Sequence, residues 1–305
     1  MSGRDVGASV RQQLLNRARA EGRPFQELLQ YFAMERFLYR LTKSRFSDQF
    51  ILKGALLLTA WRAPLARPTM DIDFAGRTSN ELDHIADIVG ELCEIVTEPD
   101  GIEFNRAAIE ANRIKEDAEY EGVRVRFYAT LAKARIPMQI DIGFGDVITP
   151  APAEIEYPTL LDLPAPVLRA YPKETVIAEK LEALTVLGLL NSRIKDYYDI
   201  ALLSRMYSFE GERLTAAVVA TFNHRGTQIE GEPVGLSDAF QADSARVIQW
   251  RAFCDEAGFQ KRRAIWKVSW QKFAGSPFLC SGLLRSGSRS KPAGVRVGLG
   301  DETNL

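Results

Sequence analysis

Little in this sequence serves histidine or cysteine chemistry. Only two histidines occur, His84 in a charged helical stretch and His224 in a loop, which leaves a Ser–His or Cys–His relay little to build on. The three cysteines, Cys93, Cys254 and Cys280, are odd in number and far apart, without a CxxC pair or a neighbouring histidine. Nothing suggests zinc, and reduced, buried thiols are expected. Charge is not in surplus either: 39 basic residues face 40 acidic ones, a net charge of -1, so contact with RNA or DNA has to come from a local basic cluster. The sequence opens without an apolar signal core, and its most apolar run, residues 51–61, is too short to cross a bilayer. A cytoplasmic protein with no membrane partner is expected. What is present is ordinary for a globular chain, 46% apolar and 26% charged residues, and the length admits an enzyme core with an appended part.

Apolar residues recur at three- and four-residue steps from Val10 through Leu14 and Ala18 to Phe25, Leu28, Phe32 and Leu38, which predicts two helices ahead of the core. FILKG then reads as a strand ending in Gly54, and ALLLTAWRA as a helix stopped by Pro64. In MDIDF the alternation is strict: Met70, Ile72 and Phe74 are expected to face in, with Asp71 and Asp73 sharing the other face. A helix over NELDHIADIVGELCEIV follows, then strands in GIEFNRAAIEA, GVRVRFYATLA and IPMQIDIGFG, the first two as antiparallel neighbours. From Pro172 onward the pattern is helical through PKETVIAEKLEALTVLG, NSRIKDYYDIALLSRM, ERLTAAVVATFNH and SDAFQADSARVIQWRAFCDEAG. The Ser-, Gly- and Arg-rich text after Ser276 predicts a mobile tail.

Phosphoryl and nucleotidyl transfer need divalent cations on oxygen ligands, because the cation neutralises the triphosphate and aligns attacking and leaving oxygens. Two aspartates at i and i+2 on one strand, as in Asp71 and Asp73, point to the same face and reach the same ions. A chain this long shows roughly one DxD by chance, so the neighbours matter. Gly54 opens a helix upstream, where free N–H groups and a positive helix end suit a phosphate. Asp141 in QIDIGFG is a third acid able to project onto the same surface, and Lys180, with Arg193, Asp196 and Asp199 at the next helix start, offers a cation and a second acid patch. Each residue also has a plainer reading. Asp71, Asp73 and Asp141 fit the solvated face of a strand, Gly54 an ordinary turn, Lys180 an exposed residue paired with Glu, and Lys195 with Asp199 a surface i,i+4 pair.

In order and spacing, FQELLQYFAMERFLYRLTKS, FILKGALLL, RPTMDIDF, IPMQIDIGFGD, YPTLLDLPAPVLRAYPKETVIAEKLEAL, SRIKDYYDIALLSR and ADSARVIQWRAF resemble the AbiEii/AbiGii-type nucleotidyltransferase toxins of the DNA polymerase beta-like nucleotidyltransferase superfamily. The resemblance implies an α/β (α+β) fold: N-terminal helices over residues 1–45, a mixed-sheet nucleotidyltransferase core over 46–170 and a helical domain over 171–275. Residues 276–305 have no counterpart in it. It implies metal ligands at Asp71, Asp73 and Asp141, further catalytic roles for Lys180 and Asp196, and nucleotide contacts at Lys53, Gly54, Ala55, Thr69, Lys180 and Arg193. Two Mg2+ ions, with Mn2+ as the alternative, would serve transfer of a nucleoside monophosphate from a nucleoside triphosphate to an acceptor hydroxyl, an RNA or tRNA 3′ end. The protein would be the toxin of a type IV-like toxin–antitoxin or phage-defence system, with an antitoxin encoded nearby. Ala55 departs from the Ser or Gly usual in the superfamily and removes one hydroxyl from the phosphate turn. Arg62, Arg67, Arg193 and Lys195 are the cations expected to meet the acceptor. An idle binding protein of the same fold and a metal-dependent phosphohydrolase are the rival functions.

Overall fold

The structure, a computed structural model, describes residues 3–63, 67–117, 120–188, 191–229, 234–237, 240 and 242–256; the expected tail after Ser276, and Cys280 with it, lies outside them. The chain divides into two compact units, one of Met1–Asp146 with Pro152–Tyr171, the other of Val147–Ala151 with Pro172–Leu305. Among the described residues no helix is long and apolar enough to cross a membrane.

The first unit holds helices α1 (Gly3–Glu21), α2 (Phe25–Thr42), α3 (Leu56–Ala60) and α4 (Leu82–Glu94) with eight strands. The strands are β1 (Phe50–Lys53), β2 (Ile72–Gly76), β3 (Ile102–Phe104), β4 (Glu110–Asp117), β5 (Tyr120–Leu131), β6 (Ala134–Phe144), β7 (Ala153–Glu156) and β8 (Val167–Ala170). They form one mixed sheet in the order β3-β5-β6-β2-β1-β8-β7, with β4 also on β5. β2 runs parallel to β6 and antiparallel to β1. The fold is therefore the mixed α/β architecture expected; β7 and β8 are additions that no pattern in the sequence had announced, because four-residue edge strands carry too few alternations to register.

One face of the sheet is apolar. Ile136, Met138, Ile140 and Ile142 of β6 and Val123, Val125 and Phe127 of β5 are buried, and Phe37 of α2 packs at 5.6 Å from both Phe104 and Phe127. Helix α2 is enclosed on all sides, so its polar residues need partners inside the protein. Arg40 forks onto Asp100 at 2.7 and 3.2 Å, Arg36 donates to the Pro164 carbonyl at 2.7 Å, and Gln30 donates to the Met70 and Pro137 carbonyls at 3.2 and 2.9 Å. The last pair ties α2 to the residue just before Asp71.

Three local expectations change. The helix after Gly54 ends at Ala60, not at Pro64: Arg62 takes a left-handed φ of 54°, and Arg62 N and Ala63 N close back on the Thr59 and Leu58 carbonyls, a Schellman cap with arginine where glycine is usual. Met70 is 53% exposed, because β2 starts only at Ile72 and the alternation does not reach back to it. His224 is the last residue of a helix rather than part of a loop. Cys93 and Cys254 are buried, and burial pushes the Cys93 thiol up to about 12, which keeps it protonated and inert.

The second unit is helical: α5 (Lys173–Leu187), α6 (Ile194–Met206), α7 (Gly211–His224) and α8 (Ser244–Glu256). Ala178 and Leu181 of α5 meet Ala217, Val218 and Phe222 of α7 in a small core. Tyr197 of α6 donates to the Gly235 carbonyl at 2.9 Å, while Tyr198 lies 6.3 Å from Trp250 and 5.4 Å from Phe253, ring to ring.

Candidate metal centre

Strand register brings the acids together. Asp73 of β2 lies directly beside Asp141 of β6, and in the same transverse row stand Lys53 of β1, opposite Asp73, and Arg124 of β5, opposite Asp141. Paired residues share a face, so the sheet carries a row with the charge sequence plus, minus, minus, plus. Asp71, two residues before Asp73, adds a third carboxylate. One ligand oxygen from each of Asp71, Asp73 and Asp141 lies within 4.8 Å of the other two.

Specific neighbours aim each carboxylate. Thr69 donates its hydroxyl to Asp71 at 2.5 Å, and the Thr69 amide donates to the Tyr31 hydroxyl of α2 at 3.3 Å. Arg124 forks onto both oxygens of Asp141 at 2.8 and 2.6 Å. That hydrogen-bonded pair, aided by the charges of Asp141, Asp71 and Asp73 against the cost of desolvation, raises the Arg124 guanidinium above its ordinary value. Asp73 owes its place to Gly54: the glycine has φ +72°, and a Cβ there would stand 1.9 Å from Asp73 Oδ2 and 2.6 Å from its Cγ. Both the left-handed backbone and the close approach demand glycine at this position.

Crowding three carboxylates this closely costs about 3 kcal/mol per pair at an effective dielectric of about 20, before solvent screening. Arg124 offsets part of that repulsion; a divalent cation would offset the rest. The donor set fits such an ion: three hard oxygen ligands, no sulfur and no imidazole, two of them on adjacent strands and the third at the entry to one.

The other expected site residues fall as follows. Lys53 is buried, and its ammonium donates to Asp146 Oδ2 at 2.9 Å, where the Tyr171 hydroxyl also donates at 2.8 Å. Ala55 is buried, 4% exposed, and the helix it precedes has five residues, so the positive helix end expected to cradle phosphate is weak. Lys180, Asp196 and Arg193 belong to the second unit. There Lys180 Nζ lies 2.6 Å from Asp196 and 3.0 Å from Asp199, and Arg193 directly precedes α6 without a side-chain cap bond. The surface pair of Lys195 with Asp199 does not form: Asp199 is 1% exposed and turned onto Lys180, while Lys195 is exposed. Arg62 is exposed and Arg67 half-buried. Reasoning from the sequence missed Arg124 and Asp146. The first had a signal, since the alternation in GVRVRF puts Arg124 on one face of a strand; Asp146, just past β6, had none.

The family described as "Nucleotidyl transferase AbiEii toxin, Type IV TA system" has a model that matches residues 36–273. No curated protein matches the chain. Among solved structures, a proposed nucleotidyltransferase from H. pylori is similar at 14% identity and a TM-score of 0.47, over 87% of this chain and 99% of its own. JHP933 from Helicobacter pylori is similar at 16% identity and a TM-score of 0.41, over 85% of this chain and 98% of its own.

Proposed function

The chain belongs to the AbiEii nucleotidyl transferase toxin family of type IV toxin–antitoxin systems, and on that premise we propose that it transfers a nucleoside monophosphate from a nucleoside triphosphate to the 3′ hydroxyl of an RNA acceptor, with magnesium on Asp71, Asp73 and Asp141. It is a nucleotidyltransferase, and its family implies a nucleotide substrate and an antitoxin partner. The observation that carries the finer reading is the meeting of three carboxylates within 4.8 Å, two on neighbouring strands and Asp71 just before one of them, with Gly54 clearing space beside Asp73.

Magnesium bound there would neutralise triphosphate charge and lower the barrier to substitution at the α-phosphate. The chain's own residues do the rest. The acceptor oxygen forms a bond to the α-phosphorus, the bond from that phosphorus to the β-phosphate bridging oxygen breaks, and pyrophosphate leaves with its electron pair. Asp141, held by the Arg124 fork, is the carboxylate we assign to the acceptor hydroxyl and its departing proton. Asp71, oriented by Thr69, and Asp73, seated against Gly54, are the permanent ligands. Lys180 we assign to the triphosphate and Asp196 to holding Lys180 in place. The net charge of -1 leaves RNA recognition to local cations.

The test is incubation of the protein with α-labelled nucleoside triphosphates, total RNA and magnesium, with and without chelator. Label at RNA 3′ ends that disappears with chelator is expected. Labelled protein alone, or free nucleotide products without labelled RNA, overturns the acceptor assignment, and transfer undiminished by chelation overturns the metal assignment.

A further inference from the structure

The face of the sheet that carries the triad continues past it along β5 and β6. Alternation sends Val125, Phe127 and Met138 into the core and leaves Arg124, Arg126, Tyr128, Arg135, Pro137 and Gln139 on the other face, none of them buried. Register arranges these in rows: Arg124 stands opposite Asp141, then Arg126 opposite Gln139, Tyr128 opposite Pro137 and Thr130 opposite Arg135. Rows on one face recur about every 7 Å, so the line begins at the metal centre and runs about 20 Å away from it.

Two cations on this line are held by neutral groups. Arg124 is bound to Asp141, but Arg126, exposed, donates to the amide oxygen of Gln139 at 3.1 Å. Arg135, also exposed, lies over the Tyr128 ring with Cζ 3.8 Å from the centroid. Tyr128 is fixed in turn by Asn105, whose side-chain amide donates to the phenol oxygen and whose backbone amide donates to the Tyr128 carbonyl at 2.9 Å. A guanidinium set on a tyrosine ring presents a planar cation on which a base stacks. Acids stand on the outer side of the line: Glu110 of β4, opposite Arg126, and Glu103 of β3, opposite Thr130, are both exposed. They repel phosphate there, so an anionic chain is favoured along β5 and β6 and not beyond them.

Given transfer to an RNA end as proposed above, we propose that this line is the track of the acceptor. A single strand of RNA lies along it with its 3′ terminus at Asp141, a phosphate on Arg126 and a base stacked on the Arg135–Tyr128 pair. Shape favours a single strand, because an open sheet face with a stacking group takes splayed bases, whereas a duplex keeps its bases stacked on one another. The row spacing sets Tyr128 about 14 Å from the Asp141 row, so the terminal nucleotide lies at the metal centre and the platform holds one upstream of it.

Fluorescence anisotropy of a short 5′-labelled single-stranded RNA with a free 3′ hydroxyl, titrated with the full-length protein in chelator, reads binding without transfer. Arg126→Gln and Arg135→Ala should each weaken it at least about fivefold at unchanged melting temperature, and Arg126→Gln should lower the salt slope by about 0.7, the share of one phosphate. Conservative variants separate the roles: Arg126→Lys should restore binding, whereas Arg135→Lys, which keeps the charge but loses the plane, should not. With magnesium and nucleoside triphosphate added, the KM for RNA should rise in the two weakened variants while that for the triphosphate holds. Labelling of RNA by the wild type, with both variants binding RNA as it does, overturns the track and leaves the reaction standing; loss of the antitoxin by those variants would then give the face to that partner. A wild type that labels no RNA removes the reaction on which the track rests.

Discussion

On the sheet, Asp71, Asp73 and Asp141 come within 4.8 Å of one another with the Arg124 guanidinium bonded to Asp141. In the helical unit, Asp196 and Asp199 close on one ammonium, that of Lys180, at 2.6 and 3.0 Å. The residue types are alike and the surroundings differ. Asp71 and Asp73 stand half-buried beside the buried Asp141, where a glycine has been kept small to make room; the helical acids are both buried, i and i+3 on one helix face, with a countercharge built in. An acid-rich cluster with space beside it stores repulsion that a cation relieves, whereas in the helical cluster an ammonium is already held between the two buried carboxylates. The second arrangement holds Lys180 still, so substitutions in the triad should act on activity alone and those in the helical cluster on stability as well.

The sharpest break comes from Asp73→Asn. Transfer should fall at least about a thousandfold, about 4 kcal/mol, while the melting temperature in metal-free buffer stays level or rises as like-charge crowding eases. Near-normal turnover, or a drop in melting temperature of several degrees, would make the triad structural. Lys180→Met should act the other way round on stability, costing about 3 kcal/mol in a denaturant melt because two buried carboxylates lose their partner. Pairing it with Asp199→Asn should restore part of the loss; a neutral single substitution would erase the contrast between the two clusters. Gly54→Ala tests the space beside Asp73. It should cost about 1–2 kcal/mol for the left-handed backbone and weaken manganese binding, read by electron paramagnetic resonance, since the new methyl must displace the Asp73 carboxylate; unchanged binding would separate the glycine from the metal centre. Lys195→Ala marks the floor, at most about 0.5 kcal/mol, as for an exposed residue outside the buried cluster. A larger effect would mean that the cluster extends to it.

Much of this was legible in the order of residues. Strict alternation in MDIDF and IPMQIDIGFG is a property of the chain itself, so the strands, the facing of Asp73 and Asp141 and the buried Ile72, Phe74, Ile140 and Ile142 followed from period alone. Helical period did the same for α1, α2 and α4 through α7. Pattern made GIEFNRAAIEA and GVRVRFYATLA antiparallel neighbours, as β3 and β4 are of β5, but could not say which strands flank the acids. That Asp73 registers with Asp141, about seventy residues on, and Arg124 with Asp141, about seventeen on, depends on pairing between separate segments, and a shift of one residue would turn every side chain to the opposite face. Nor could spacing choose between a surface pair of Lys195 with Asp199 and a buried one of Lys180 with Asp199, because a helix offers i+4 neighbours and tertiary partners at once, and burial decided for the partner across helices. The sequence by itself determined periodicity, and with it the elements and the faces of their side chains. Only the tertiary structure determined register and burial, because both are energies of contact between separate segments, and it is those that brought three scattered aspartates within 4.8 Å of one another.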